Sequence, residues 1–221
     1  MTKLHLAPLC LLVACAGTGE PPSEPIAATT EPPPPDLVLD FAHSGQLKQF
    51  EYTSPRMWRP YQESLELLGK SPYEPPHRSP HSIALLRTEP LGDFVLETRA
   101  LQTGREYGHR DLCLVFGFVD DANFYYAHLA STPDPRAHNV FLVDDADRVA
   151  LAPVPDQGVD WGTDVWHDLK VERQGARIRV WFDGQLTHEV TDATHGAGRV
   201  GLGSFDDSGR FDDLRLTSPD L

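Results

Sequence analysis

A group of polar side chains in two neighbouring apolar runs has the composition of a sugar-binding site. Tyr126 and His128 are two residues apart, so they share one face of a predicted strand. His138 and Asn139 begin the next run after a short loop, and antiparallel pairing would bring the two strand ends together. Aromatic rings pack against sugars, while imidazole and amide groups hydrogen-bond to hydroxyls. We therefore expect a carbohydrate-binding groove here, with Arg110 from a neighbouring strand as a further contributor.

Catalysis at this groove is left open by the sequence. His128 is a candidate general base because an ordinary imidazole titrates near neutral pH. Retaining glycosidases need two carboxylates about 5 Å apart, but Glu97 is the single acid of its strand and shares its face with Arg99. Two other interpretations remain: a polar sheet face with solvated histidines, or Tyr126 and His128 facing the sandwich interior and serving packing.

Acidic residues near a predicted turn at Ser208 and Gly209 suggest a metal site. Hard oxygen ligands beside a glycine turn suit Ca²⁺, and the alternative is a solvated acidic turn. The candidate ligands are Asp206, Asp207, Asp212 and Asp213.

All these residues lie in a chain that has the pattern of short strands. Beyond Leu37 there is no convincing helical period, and alternating or apolar runs are separated by Gly, Pro, Asp and Asn. This pattern predicts an all-β fold, an antiparallel jelly-roll sandwich, and Asp183-Gly184 predicts a hairpin turn within it. The clearest strands are predicted at 94–100, 112–118, 123–130, 140–143, 166–172, 178–182, 199–203 and 211–216. Weaker ones are predicted at 37–41, 47–52, 64–68 and 81–87.

The first 36 residues have the pattern of an export segment and a tether. Residues 1–14 combine Lys3 with an apolar run too short to cross a membrane, which is typical of a signal peptide. The run that ends at Cys15 is similar to a bacterial lipobox, in which the cysteine is acylated; an ordinary secretory peptide is the alternative. Residues 15–36 are proline-rich and predict an extended or disordered tether. We therefore expect a lipid-anchored protein of the bacterial cell envelope, at the outer membrane or an exported surface, with its sandwich domain at 37–221.

Composition narrows the set of partners. The chain has 33 Asp and Glu against 19 Lys and Arg, a formal charge of −14, so nucleic-acid phosphates would be repelled. Once Cys10 leaves with the signal peptide and Cys15 carries lipid, Cys113 has no cysteine to pair with. Its apolar neighbours predict a buried, inert thiol.

The order of motifs in the second half of the chain resembles a known superfamily. The motifs are Phe116–Leu129, Trp166–Arg173, Ile178–Gly184, Gly198–Gly203 and Phe211–Leu216. They resemble the concanavalin A-like lectin/glucanase superfamily, especially the laminin-G-like and 3-keto-disaccharide hydrolase-like domains of bacterial exported proteins. The resemblance covers about residues 37–217 and implies the sandwich fold.

This fold serves lectins, glycosidases, lyases and adhesion modules, so it does not by itself identify a function. The resemblance implies carbohydrate binding as the leading function. Cleavage of a 3-keto-glycoside is the enzymatic alternative, and a structural or adhesion module without a small-molecule site is the third.

Overall fold

Two antiparallel sheets packed face to face form most of the regular structure in residues 34–221, the part of the chain that the computed structural model describes. Within that part, the helical segments are two short 3-10 helices at Ser44–Gln49 and Pro55–Met57. No helix there is long and apolar enough to cross a membrane. The predicted signal peptide, Cys15 and most of the tether lie outside the described residues.

The first sheet has eight strands and is built around the last strand of the chain. Its order is β13-β12-β11-β6-β15-β4-β3, and β1 also pairs with β15. The strands are β1 (Leu37–Leu39), β3 (Trp58–Pro60), β4 (Leu65–Leu67), β6 (Phe94–Gln102), β11 (His167–Gln174), β12 (Arg177–Phe182), β13 (Gln185–Thr191) and β15 (Gly209–Thr217).

The second sheet has seven strands in the order β10-β9-β8-β7-β14-β5-β2. They are β2 (Phe50–Tyr52), β5 (Ser82–Leu86), β7 (Asp111–Asp120), β8 (Asn123–Ala130), β9 (Asn139–Asp144), β10 (Val149–Ala150) and β14 (Arg199–Ser204). Every strand pair in the two sheets is antiparallel, so the predicted fold class is confirmed.

The predicted strands are present with small shifts in their ends. One segment differs: the strand predicted at 47–52 starts only at Phe50, because Ser44–Gln49 forms a 3-10 helix. The short strands β3 and β10 were not predicted. β3 ends in Pro60 and lies at a sheet edge, where proline costs no ladder hydrogen bond.

The turn at Asp183 and Gly184 joins β12 to β13 as the sequence predicts. Both residues have positive φ, 48° and 73°, which is the backbone that a two-residue type I′ hairpin requires. Phe182 and Gln185 are direct partners across it. The turn therefore fixes the register of the edge hairpin.

The main core fills the space between the sheets, and a second apolar cluster lies on the outer face of the seven-stranded sheet. The alternation of β7 separates them: Leu112, Leu114 and Phe116 point into the main core, while Cys113 and Val115 belong to the outer cluster. Strands buried on both faces read as continuous apolar runs, as β7 does. Cys113 is a free, buried thiol, in agreement with the sequence.

Candidate functional site

Tyr126 and His128 share the outer face of the seven-stranded sheet, but that face is closed. Tyr126 is fully buried and His128 is 3% exposed. The Tyr126 ring stacks on Phe141, with 5.2 Å between centroids, and the His128 ring stacks on Phe205 at 5.4 Å. These contacts leave no open sugar-binding surface at either side chain.

Arg148 completes the cover over this face. Its guanidinium carbon lies 4.6 Å from the ring centroid of Phe141 and 4.5 Å from that of Phe205, so the cation sits against two aromatic rings. It also donates from Nη1 to the hydroxyl of Tyr126 at 2.9 Å. Arg148 follows β9 and Phe205 follows β14, so two separate loops close the face.

His128 is a neutral imidazole in these surroundings. Burial is the main cause that lowers its pKa well below the usual range, and the nearby cation of Arg148 lowers it further. Among the described residues, neither ring nitrogen has a hydrogen-bond partner. Nε2 lies 3.7 Å from Oδ2 of Asp111. The pKa of Asp111 is itself raised well above its ordinary value, first by burial and then by the nearby carboxyl of Asp207. An enclosed neutral ring does not reach an external substrate.

The other three predicted groove residues are also buried and serve local structure. The ring of His138 packs edge-on against His188 at 4.6 Å, and Nε2 of His188 donates to the His138 carbonyl at 3.0 Å. Asn139 makes two hydrogen bonds to the backbone of Ala152. Arg110 lies away from them, with its guanidinium on the carbonyls of loop residues Gly104 and Gly162. The five residues do not line one common groove, and their part in ligand binding stays a prediction.

The four aspartates proposed for calcium do not converge. Asp207 turns inward, where its Oδ2 accepts from the Tyr107 hydroxyl at 2.8 Å and from the Asp111 amide at 3.0 Å. Asp213 lies farther along β15, with Oδ2 3.9 Å from Arg99. Within residues 34–221, no group of three or more His, Cys, Asp or Glu side chains is placed to hold a metal ion. Calcium binding therefore stays a prediction without a preformed cluster behind it.

An open cleft of about 580 Å³ lies on the outer face of the eight-stranded sheet. We call it the charged cleft. Alternation along β6, β11 and β15 turns its charged residues outward, opposite to the core residues of the same strands. The residues that line it are Glu97, Thr98, Arg99, Asp168, Leu169, Lys170, Trp181, Gly184, Asp213 and Arg215.

The register of the strands places opposite charges side by side in the charged cleft. Lys170 is the direct cross-strand partner of Glu97 on β6 and of Trp181 on β12, and Asp168 is the partner of Arg99. Nζ of Lys170 lies 3.7 Å from Oε1 of Glu97 and 4.9 Å from the centre of the Trp181 ring. Three carboxylates and three cations line the cleft, so its formal charge is balanced.

Two half-buried tryptophans accompany these charges. Trp181 lies within the cleft, and Arg179 approaches its ring to 5.3 Å. Trp166, just before β11, has Arg99 at 5.0 Å from its ring. The cleft thus combines aromatic surface with hydrogen-bond donors and acceptors, which is the chemistry that a polyhydroxylated ligand needs.

Solved structures identify the fold. The carbohydrate-binding module CBM66 from Bacillus subtilis superposes with a TM-score of 0.61 at 18% identity, over 77% of this chain and 96% of the module. The xylan β-1,4-xylosidase of Bacillus halodurans gives 0.57 at 13% identity over 89% of this chain, which spans 41% of that enzyme. A Bacillus subtilis protein of unknown function with a galectin-like fold gives 0.57 at 11% identity, over 85% of this chain and 97% of that protein. The fold is a concanavalin A-like β-sandwich.

Sequence comparisons add nothing beyond the fold: no family model matches the chain, and no curated protein does. At identities under 20%, a shared sandwich shows architecture and not ligand or activity.

The charged cleft of this concanavalin A-like sandwich was only partly visible in the sequence. The sequence places Glu97 and Arg99 on one face of their strand, but it does not show which strands lie beside them in the sheet. β6 pairs with β11, which follows it in the chain only after four other strands. The available signal was an alternation of charged or aromatic residues in three separate strands. The motifs are Glu97-x-Arg99, Asp168-x-Lys170 and Arg179-x-Trp181. They can be recognised as one site only when the order of the strands in the sheet is known.

Proposed function

We propose that this domain binds carbohydrate through the charged cleft. The observation that carries the proposal is a half-buried Trp181 beside the opposed pair Lys170 and Glu97 in an open cavity of about 580 Å³. That volume falls within the range of about 300–1,000 Å³ typical of small-molecule sites.

The balanced charge of the cleft favours an uncharged sugar. Carboxylates accept hydrogen bonds from hydroxyls, and guanidinium and ammonium groups donate to hydroxyl oxygens. A neutral glycan can use both sets without bringing an unpaired charge into the cleft.

Access to the Trp181 ring requires its cations to move aside. The Lys170 side chain is 33% exposed and that of Glu97 is 49% exposed. Pairs this exposed contribute at most about 1 kcal/mol, so a sugar ring can displace Lys170 from the indole at low cost. The likeness of the fold to a carbohydrate-binding module supports the proposal by analogy.

The test is a glycan array with the full chain, followed by calorimetry on each hit with Trp181→Ala. Loss of a central aromatic contact should weaken binding by about 2 kcal/mol. Tyr61→Ala is the matched control, because Tyr61 is also half-buried between two arginines but does not line the cleft. Equal affinity of wild type and Trp181→Ala for every hit would contradict the proposal.

The same experiment separates the alternatives. Release of a new reducing sugar from a 3-keto-glycoside would favour a hydrolase or lyase over a binding module. An empty array, with no saturable binding to any glycan, would favour a structural or adhesion module.

We propose further that the chain is an exported lipoprotein, anchored in the bacterial envelope through Cys15. The lipobox-like run and the proline-rich stretch after it support this. Metabolic labelling with a palmitate analogue should tag the wild type and Cys10→Ser, but not Cys15→Ser. Equal labelling of Cys15→Ser would show that Cys15 is not the acylated residue.

A further inference from the structure

A second cavity, of about 330 Å³, lies at the end of the sandwich where β7 begins and β8 ends. We call it the Arg110 cavity. It is separate from the charged cleft and shares no lining residue with it. Its lining residues are Glu106, Tyr107, Gly108, Arg110, Ser131, Asp160 and Gly162.

Arg110 is a buried cation whose hydrogen bonds go to neutral groups. The residue is 2% exposed. Its Nη1 donates to the carbonyl of Gly162 at 2.7 Å and to Oγ1 of Thr163 at 3.2 Å, and its Nη2 donates to the carbonyl of Gly104 at 2.9 Å. Its buried Nε has no hydrogen-bond partner among the described residues. The guanidinium is therefore left with an unsatisfied donor in a buried position.

The charge of Arg110 is poorly compensated by the protein. Its nearest carboxylate is that of Glu106, with Oε1 3.9 Å from Nη1, beyond hydrogen-bond length, and a side chain that is 72% exposed. Glu106 instead accepts a hydrogen bond from the Thr163 hydroxyl at 2.9 Å. Arginine is rarely buried without a close counter-ion, and a guanidinium binds a carboxylate best through two parallel hydrogen bonds.

We infer that the Arg110 cavity binds a small monocarboxylate, such as the acid group of a uronic sugar, with Arg110 as its ion-pair partner. Glu106 marks a position where a carboxylate oxygen already stands beside the guanidinium, and a ligand acid would displace this exposed side chain. The inference does not depend on the charged cleft.

Selectivity for a single negative charge follows from the other walls. Asp160 and Glu106 both line the cavity, so a ligand with two negative charges meets about twice the repulsion that a monocarboxylate meets. Tyr107 forms a fixed wall, because its hydroxyl is held by Asp207 at 2.8 Å.

The experiment measures binding of glucuronate, acetate, glucose and inorganic phosphate to the full chain by calorimetry. Each titration is repeated in Trp181→Ala, which removes the aromatic contact of the charged cleft. We expect glucuronate to bind both proteins equally, and phosphate and glucose not to bind at this cavity. Acetate as tight as glucuronate would identify a site for small acids in general, and weaker acetate would identify the sugar acid as the ligand. Absence of saturable binding by both acids would overturn the inference.

Substitutions at an exposed position avoid the risk of misfolding. Glu106→Ala removes the competing carboxylate and should tighten glucuronate binding about two- to fivefold, the range expected for an exposed ion pair. The matched control is Glu89→Ala, an exposed glutamate with the same change in net charge. Equal affinities of these two variants would contradict the proposed site.

Two further variants address the cation and the selectivity. Arg110→Gln, where circular dichroism shows it to be folded, should bind glucuronate at least about tenfold more weakly, because a charge-assisted pair is lost. Asp160→Asn should reduce the discrimination against phosphate. A folded Arg110→Gln that binds glucuronate like the wild type would overturn the assignment, whatever the result for Trp181 in the charged cleft.

Discussion

The two outer faces of the sandwich are built by the same alternation of side chains, but one face is buried and the other is open to solvent. On the seven-stranded sheet, Tyr126 and His128 are sealed beneath Phe205 and Arg148. On the eight-stranded sheet, the charged face around Lys170 stays open and forms a cleft. Alternation thus determines which residues share a face, while loops from elsewhere in the chain determine whether that face meets solvent.

The strongest test of the difference between the two faces is to truncate one aromatic side chain on each face. Tyr126→Ala should lower the free energy of unfolding by about 3–5 kcal/mol, because a fully buried ring leaves a cavity. Trp181→Ala, at the half-buried position, should cost clearly less. Urea denaturation followed by circular dichroism measures both. Similar losses in the two variants would mean that the faces do not differ in burial as described.

Tyr126→Ala also decides between packing and ligand binding at that face. We expect its affinity for any glycan, expressed per folded molecule, to match that of the wild type. A selective loss of affinity would indicate that Tyr126 and the neighbouring His128 belong to the binding site after all.

The pH dependence of stability sharpens the comparison at His128. Its pKa is depressed in the folded state, so below about pH 6.5 the unfolded chain takes up a proton that the folded chain refuses, and stability falls as the pH falls. His128→Leu should remove up to about 1.4 kcal/mol per pH unit of this slope. Because neither ring nitrogen has a partner in the described structure, the variant should be nearly as stable as the wild type at neutral pH.

His138 gives an internal control for the pH experiment. Burial, with the charge of His188, lowers the pKa of His138 to about 4, so its contribution to the acid slope should persist in His128→Leu. His138→Asn should remove that part separately, and asparagine tolerates the positive φ of 54° at this position. A slope unchanged by either variant would contradict the description of these rings as buried and neutral.

The smallest effect is expected on the open face. Lys170→Ala removes one partner of a pair whose side chains are 33% and 49% exposed, and should change the free energy of unfolding by no more than about 1 kcal/mol. Thermal unfolding at low and high salt measures it. A loss as large as that of a core residue would show that the charged cleft is a structural network and not a surface available to ligand.

The sequence predicted the fold better than the site, for a physical reason. Strand formation depends on local alternation, which is readable residue by residue, and so the shared face of Tyr126 and His128 was predicted correctly. Their burial depends on Phe205 and Arg148, from loops distant in sequence. The neighbours of Arg110 at Gly104 and Gly162 are likewise loop residues, whose positions no periodicity reports.

The pairing of β15 has a consequence for how the protein is made. This strand hydrogen-bonds with β6, β4 and β1, so all three wait for residues 209–217 to be synthesised. Until then, their edges are open and able to pair with other chains. Such long-range closure is slow and exposes the chain to aggregation. A protein that emerges amino-terminus first therefore leaves these edges unpaired until residues 209–217 have been synthesised.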